Sequence, residues 1–168
     1  MNEKFLNTLG QSLIAVGLYT VAFESMVLTF RAQMHGYLSQ QEPTLLPKFI
    51  KECQTADRTL KFCKPRMIEN GILSQSETDG LDAIRLRRNT MAHEGYNQML
   101  NLAVEDIEDD VVLMFRISQK VEQWRQSINK RNDDGSVSFS IAPSIFGLYL
   151  AGAQELARTK LKARVDQS

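Results

Sequence analysis

A short stretch from Arg85 to Tyr96 carries the side chains in this sequence that are best suited to chemistry. It reads R-L-R-R-N-T-M-A-H-E-G-Y and places Arg88 five positions before His93. The guanidinium of an arginine is a fixed cation that binds phosphate, and an imidazole exchanges protons near neutral pH. Together the two groups suit acid–base chemistry at a phosphate, and the cleavage of RNA without a metal ion is one such reaction.

Arg88 lies on the apolar side of a predicted helix. A capping signal at Ser76 and Asp79 predicts the start of this helix. Apolar residues then recur at Leu81, Ile84 and Met91. Arg88 follows Leu81 by seven positions, which puts it only about 20° away around the helix axis. A guanidinium on an apolar stripe is costly without an anionic partner, so Arg88 needs an explanation.

His93 diverges from Arg88 on a straight helix. The two side chains would point about 140° apart, with about 7.5 Å between them along the axis. They would converge if the helix loosens at Glu94 and Gly95, where a glycine suits a left-handed C-terminal cap. They would also converge if a second copy of the chain brings its own pair. The sequence leaves both possibilities open.

The segment from Arg88 to His93, RNTMAH, resembles the R-polar-x3-H motif of HEPN domains (higher eukaryotes and prokaryotes nucleotide-binding). The pair Gly95-Tyr96 resembles the histidine-glycine-tyrosine exit of some bacterial members, although Glu94 stands between histidine and glycine here. Outside residues 77–128 or so, the resemblance is a matter of pattern alone. It implies an all-α helical bundle of four to five main helices, with the motif at the end of the third.

The resemblance also implies a function. Members of this family are often metal-independent endoribonucleases of toxin–antitoxin, phage-defence or RNA-targeting CRISPR systems, and they dimerise through the motif face. We therefore expect a homodimer that acts on RNA, with an antitoxin protein as a further partner and with no metal or cofactor. The alternative is a catalytically inactive HEPN-like module that binds RNA, nucleotide or a partner protein.

The same resemblance assigns roles to particular residues. Arg88 would stabilise the scissile phosphate and His93 would act as general base or acid. Asn89 would hold the motif in place or contact phosphate, and Tyr96 would line the site. We also expect Arg85 and Arg87 to contact RNA.

Helix electrostatics offer a simpler interpretation of these basic residues. Arginines and histidines are common in the last turn of a helix, where they offset the negative end of its dipole. Arg85, Arg87, Arg88 and His93 would then have no other role. The position of Arg88 on the apolar stripe favours the functional interpretation.

Length and charge limit the other possibilities. The chain has 168 residues, which predicts one domain, residues 1–168, and its 20 basic residues balance 20 acidic ones. No global field attracts nucleic acid, so a local patch must bind any RNA. Two cysteines, Cys53 and Cys63, support neither a zinc site nor a disulfide framework. We expect a reduced, cytoplasmic protein.

A long first helix is predicted over residues 3–40, closed by His35 and Gly36. Its apolar run from Leu13 to Phe23 is too short to span a membrane and lacks a cleavage site, so the helix should be buried on most of its faces. Glu24 interrupts the run. This carboxylate is either simply exposed or hydrogen-bonded, or it orients Arg88 or another motif residue.

The rest of the chain is predicted to be helical as well. A second helix covers about 48–64 and ends before Pro65, and a polar connector from Ser74 to Gly80 leads into the motif helix. The next helix begins at an acidic cluster and buries residues at heptad spacing. These are Val104, Ile107, Val111, Met114, Ser118, Val121, Arg125 and Ile128. A short extended segment, 137–141, precedes a last helix, 143–164, which has a basic end.

The acidic cluster has two interpretations. Its members are Glu105, Asp106, Glu108, Asp109 and Asp110. Acidic side chains are stabilising in the first turn of a helix, where the dipole is positive. Neighbouring residues on a helix point in different directions and do not converge on a metal ion. The helix-start interpretation is therefore favoured over a metal site.

Overall fold

A computed structural model describes residues 3–93, 102–103 and 105–131. Five α-helices make up this part of the chain: α1 (Glu3–Gln41), α2 (Leu46–Glu52), α3 (Ala56–Glu69), α4 (Gln75–His93) and α5 (Glu108–Arg131). Single 3-10 turns, Pro43–Leu45 and Glu105–Ile107, precede α2 and α5. About 90% of the structure is helical and the described residues contain no strand. The prediction of an all-α bundle is confirmed, and the predicted segments 137–141 and 143–164 lie outside the described residues.

Helix α1 forms one wall of the core along nearly its whole length. Its bounds match the predicted helix over residues 3–40. The side chains that it buries completely recur every three or four positions: Tyr19, Phe23, Met26, Phe30, Met34 and Leu38. The expectation that His35 and Gly36 close the helix is wrong, because α1 continues to Gln41. Gly36 has a packing role instead, since a Cβ at this position would lie 3.1 Å from Nε of Arg125.

Helices α1 and α5 run in the same direction and make the most extensive contact in the bundle. Near the start of α5, Asp110 accepts a hydrogen bond of 2.9 Å from the Tyr19 hydroxyl. Near the end of α5, Nη2 of Arg125 donates to the carbonyl of Gly36 at 3.1 Å. Both sequence numbers rise together from one contact to the other, so the two helices are parallel.

Helix α4 is antiparallel to α5 and presents the motif at one end of the bundle. Arg87, late in α4, pairs with Asp110 at the beginning of α5, at 3.1 Å. Glu77, early in α4, pairs with Lys120 further along α5, at 2.6 Å. The C-terminal end of α4 therefore lies at the same end of the bundle as the first turn of α5.

The predicted second helix is two helices. The expected single segment 48–64 is interrupted at Cys53, whose φ of −88° and ψ of 47° are not helical. Thr55 then caps α3 by accepting a hydrogen bond from the backbone N–H of Arg58 at 3.4 Å. Pro65 lies inside α3 rather than after it. The helix ends at Glu69, where Gly71 adopts a φ of 66° and closes a Schellman-type cap through its bond to the carbonyl of Ile68.

Helix α4 also begins earlier than predicted. Ser74 and Glu77 form a reciprocal capping box, in place of the expected signal at Ser76 and Asp79. The Ser74 hydroxyl accepts from the N–H of Glu77 at 3.2 Å, and the Glu77 carboxylate accepts from the N–H of Ser74 at 2.9 Å. The segment predicted as a connector, Ser74 to Gly80, is therefore mostly the first turns of α4.

One face of α1 stays exposed, against the expectation that most of its faces are buried. We call this face the exposed α1 stripe, and its members are Leu13, Ile14, Gly17, Val21 and Leu28. The segment Thr8–Gln41 is long and apolar enough to cross a membrane by length and composition, a property that it shares with the core helices of many soluble proteins. The opposite face of the same helix forms the core of the bundle.

Candidate active site

Arg88 has the anionic partner that its position on the apolar stripe requires. Its Nη2 lies 2.9 Å from Oε1 of Glu24 on α1. Its Nη1 donates to Oδ1 of Asn89 at 3.3 Å, and the guanidinium carbon lies 5.6 Å from the centre of the Phe23 ring. Glu24 is therefore partly exposed and hydrogen-bonded, as its first interpretation has it, and the residue that it bonds is Arg88, as the second requires.

The Arg88–Glu24 pair remains open to solvent on one side. The side chain of Arg88 is 32% exposed and that of Glu24 is 45% exposed. An arginine has five N–H donors, and the contacts with Glu24 and Asn89 involve two of them. This geometry fixes the direction of the guanidinium while leaving part of it where an anion from solution can reach it.

His93 is the last residue of α4 and is exposed. The helix is α-helical up to His93, so the divergence of about 140° from Arg88 holds for a single chain. Any loosening at Glu94 and Gly95 lies outside the described residues, as does Tyr96. Within the described residues, one chain does not bring Arg88 and His93 together.

Arg85 and Arg87 bond to acceptors within the chain. Arg85 pairs with Asp57 on α3 at 3.2 Å and with Asp82 at 3.7 Å. Arg87 donates to the carbonyl of Asp106 at 2.8 Å as well as pairing with Asp110. Both arginines therefore tie α4 to its neighbours, a role that the sequence did not indicate.

A polar contact in the core joins three helices beneath the motif. The Tyr19 hydroxyl lies 2.9 Å from the Asp110 carboxylate and 3.1 Å from the carbonyl of Ile84, and it has one proton to share between them. Burial, followed by the hydrogen bond to Asp110, raises the pKa of Tyr19, so the phenol stays protonated and donates. The only sequence signal was a tyrosine inside the apolar run of α1.

Arg125 is a second arginine on an apolar helix stripe, and its spacing alone indicates no role for its charge. It is only 5% exposed and lies against Gly36 of α1. Burial lowers the pKa of its guanidinium. The heptad pattern of α5 contained this signal, because an arginine occupied a position that otherwise buries apolar side chains.

The acidic cluster serves the start of α5. Asp106 accepts a hydrogen bond from the N–H of Ala103 at 2.8 Å, and Asp110 pairs with Arg87 and Tyr19. In the part of the chain that the structure describes, no group of three or more histidine, cysteine, aspartate or glutamate residues is arranged to hold a metal ion.

No family model matches this chain, and neither the curated proteins nor the solved structures contain a significant match to it.

Proposed function

We propose that this protein is a metal-independent endoribonuclease of the HEPN type. The observation that carries the proposal is Arg88, a partly exposed guanidinium held by Glu24 on an apolar stripe, with the exposed His93 further along the same helix. A fixed cation stabilises charge on the phosphorane during attack by the ribose 2′-hydroxyl. His93 exchanges the proton with the attacking or the leaving oxygen.

Asn89, Arg85 and Arg87 have supporting roles in this proposal. Asn89 accepts from Arg88 and so holds the guanidinium plane beside the helix. Arg85 and Arg87 can exchange their partly exposed carboxylate partners for RNA phosphates at low cost, because exposed ion pairs contribute at most about 1 kcal/mol. Tyr96 lines the site in this proposal.

The divergence of Arg88 and His93 means that a complete site requires two chains. A two-fold axis beside α4 places two arginines and two histidines around one cleft, through an interface that uses the same surface on both copies. Leu86 is 66% exposed and precedes His93 by seven residues, so both side chains lie within about 20° on one face of α4. We propose that this Leu86–His93 face forms part of the dimer interface. The interface would extend around the C-terminal end of α4, so that His93 of each copy reaches Arg88 of the other copy on the opposite side of its helix. Met91, on the same helix, is nearly buried and therefore belongs to the core and not to this interface.

A second candidate function is an inactive HEPN-like module that binds RNA, nucleotide or a protein. The observation that favours it is that the arginines of the motif helix form ion pairs within the chain. Arg85, Arg87 and Arg88 all pair with carboxylates of their own chain. A site whose cations are already paired favours binding by exchange of partners over catalysis.

Cleavage of RNA in the presence of a chelator separates the two functions. Wild-type protein is incubated with total RNA and EDTA, beside His93→Ala and the control His35→Ala. His35 is the other histidine of the chain and is exposed on α1. The nuclease predicts cleavage by wild type and by His35→Ala, and loss of at least about 100-fold in rate for His93→Ala. Bound but intact RNA supports the module, and equal cleavage by His93→Ala removes this histidine from the mechanism.

The composite site is tested at Leu86. Leu86→Asp places a charge in the proposed interface, and Ile50→Asp is the control because Ile50 is 50% exposed on α2. Light scattering should show a monomer for Leu86→Asp and a dimer for the control, and only the dimer should cleave RNA. A folded Leu86→Asp monomer that cleaves at the wild-type rate would show that one chain contains the whole site.

The proposal includes a cytoplasmic location, no bound cofactor and, where the protein acts as a toxin, an antitoxin partner. Fractionation of expressing cells tests the location, since an apolar α1 inserted in a membrane would keep the protein in the membrane pellet. An antitoxin of this kind should restore growth of cells in which the wild-type protein, but not His93→Ala, is toxic.

A further inference from the structure

Arg31 on α1 differs from the arginines of the motif helix, because no carboxylate among the described residues pairs with it. Its Nη2 donates to the hydroxyl of Thr59 on α3 at 3.1 Å. Its Nε is buried and has no hydrogen-bond partner in the part of the chain that the structure describes. A buried donor on a charged group is costly without an acceptor, so this N–H needs a partner that the described chain does not supply.

The unpaired N–H belongs to the edge of the guanidinium that suits an oxyanion. In an arginine side chain, Nε–H and one N–H of Nη2 point in the same direction and can contact two oxygens of one anion. In Arg31 this edge faces α3, because Nη2 contacts Thr59. The Thr59 hydroxyl is a neutral acceptor, and it lies 2.8 Å from the carbonyl of Thr55 and 3.3 Å from that of Cys53, to which it donates its own proton. The positive charge of Arg31 is therefore not balanced by this contact.

Arg66 brings a second cation to the same side of α3. It follows Thr59 by seven residues, so the two positions lie within about 20° around the helix axis. Its side chain folds back toward the start of α3, since Nη1 donates to the carbonyl of Phe62 at 3.4 Å and the guanidinium carbon lies 4.2 Å from the centre of the Phe62 ring. Among the described residues it also has no carboxylate in an ion pair. Arg31 and Arg66 are both partly exposed, so small solutes reach part of each side chain.

The charges of both arginines act on the same two thiols. Burial raises the pKa of Cys53 and of Cys63, while Arg31 and Arg66 both act to lower it. Both cysteines are buried, at the end of α2 and within α3. The two guanidinium groups therefore add positive charge to one small region beside α3.

Two carboxylates lie close to this region without pairing with it. Glu42 accepts a hydrogen bond from the Tyr37 hydroxyl, and Glu52 lies at the end of α2. Neither forms an ion pair with Arg31 or Arg66. The described part of this region thus carries positive charge that a small anion would balance.

We infer that Arg31 and Arg66 form a binding site for a phosphate group between α1 and α3, which we call the α1–α3 anion site. Arg31 donates to two phosphate oxygens through Nε and Nη2, and Arg66 supplies the second positive charge. The ligand is the free ion or the terminal phosphate of a small molecule. The site is distinct from the Arg88–Glu24 pair, because Arg31 follows Glu24 by seven residues, about 10.5 Å along α1.

A titration of the isotope-labelled full chain with inorganic phosphate, followed by NMR, tests the site. The signal of the Arg31 Nε–H reports on the donor that lacks a partner, and it is assigned by its loss in Arg31→Met. This signal should move downfield and saturate, with a dissociation constant of about 1 mM or lower, as two charge-assisted contacts provide. Sodium chloride at the same ionic strength should not move it. A shift that does not saturate, or an equal shift in sodium chloride, would overturn the inference.

Matched substitutions separate the site from general electrostatic attraction. Arg31→Met and Arg66→Met each remove one cation and keep an apolar stem, and each should weaken phosphate binding at least about tenfold by calorimetry. Lys61→Met removes the same charge from the far side of α3, about 200° from Thr59, and should leave the affinity unchanged. Phosphate should also raise the melting temperature of wild type and Lys61→Met more than that of the two arginine variants. Equal affinities in all four proteins would overturn the inference, and Arg66→Met alone decides if Arg31→Met does not fold.

Glycerol 3-phosphate and glycerol distinguish the two sources of the phosphate group. Binding of inorganic phosphate alone identifies the free ion as the ligand, and binding of glycerol 3-phosphate without binding of glycerol identifies a terminal phosphate. Either result supports the α1–α3 anion site, and binding of neither phosphate compound overturns it. The inference is independent of the proposed nuclease, because none of these readouts requires cleavage of RNA.

Discussion

Arg88 and Arg125 occupy equivalent places in the sequence pattern and different places in the molecule. Each falls at an apolar position of its helix, and each contacts α1. Arg125 is 5% exposed and donates to the carbonyl of Gly36, whose missing side chain makes room for the guanidinium. Arg88 is 32% exposed and pairs with the carboxylate of Glu24, which is itself 45% exposed.

The difference shows what separates a packing arginine from a candidate for chemistry. A guanidinium enclosed by two helices cannot reach a phosphate in solution, so Arg125 stabilises the α1–α5 contact. The guanidinium of Arg88 has one side fixed by the protein and another facing solvent. Spacing alone identifies both arginines, and only their surroundings distinguish them.

The largest expected effect comes from deleting the buried arginine. Arg125→Ala removes a long side chain from between α1 and α5 and should lower the free energy of unfolding by about 3 kcal/mol. Arg88→Ala should lower it by about 1 kcal/mol or less, because its ion pair is partly exposed. Urea titrations of both variants measure the difference, and Arg125→Met is the control because it keeps the volume without the charge.

Arg125→Met should recover more than half of the stability lost in Arg125→Ala. Equal losses for Arg88→Ala and Arg125→Ala would contradict the distinction drawn between the two arginines.

The next largest effect concerns the residue that makes room for Arg125. Gly36→Val adds a branched side chain where even a Cβ would lie 3.1 Å from Nε and 3.4 Å from Nη2 of Arg125. The guanidinium must move, so the variant should lose about 1–3 kcal/mol of unfolding free energy. The matched change Gly10→Val, at a position where a Cβ meets nothing within 4 Å, should cost little. Thermal unfolding followed by circular dichroism compares the two.

The helical bundle was predictable because apolar periodicity persists over long segments. The spacing of apolar residues predicted the long helices α1 and α5, and the heptad residues Val111, Met114 and Val121 of α5 are buried. Ser118 and Ile128 of the same set are only partly buried, and Ile117, which the heptads did not include, is fully buried. The exception within α1 was Gly36, which was expected to end the helix. Its role depends on Arg125, 89 residues later, and no local pattern contains that information.

Several helix boundaries were predicted incorrectly, because contacts with distant residues decide between local signals that are equally acceptable. Ser76 with Asp79 and Ser74 with Glu77 are both acceptable capping signals, and the contact of Glu77 with Lys120 of α5 favours the earlier one. Pro65 was expected to end a helix, but it is accommodated within α3. At the candidate site, the sequence predicted that Arg88 needs an anionic partner and offered Glu24 as one candidate. It did not anticipate that Arg85 and Arg87 pair within the chain.

A smaller effect on stability is expected at Glu77, whose carboxylate caps the start of α4 and does not pair with an arginine. Burial works to raise the pKa of Glu77, but the hydrogen bonds from Lys120 and Ser74 outweigh it, and the pKa lies below its usual value. A folded-state pKa below the unfolded one adds stability above the unfolded value, near 4.5, and this stability is lost as the pH falls through the folded value.

Glu77→Gln should therefore lower the free energy of unfolding by about 1 kcal/mol at pH 7 and flatten its decline below about pH 4.5. Urea titrations at a series of pH values measure both effects. Asp79→Asn is the control, since Asp79 is exposed and accepts from Gln75 within the same helix. A decline of the same steepness in Glu77→Gln and wild type would exclude Glu77 as its source.

The smallest expected effect on stability, and the most informative for function, is at Glu24. Glu24→Gln keeps an oxygen that can accept from Arg88 but removes the charge that fixes its direction. Because the pair is partly exposed, the free energy of unfolding should change by less than about 1 kcal/mol. If Glu24 positions Arg88 for the transition state, kcat for RNA cleavage should fall about tenfold while KM changes little. Asp57→Asn on α3 removes one of the two carboxylate partners of Arg85, the arginine three residues before Arg88, and should leave kcat unchanged. A lower KM with an unchanged kcat in Glu24→Gln would instead mean that Glu24 competes with phosphate for Arg88 and does not position it for the transition state.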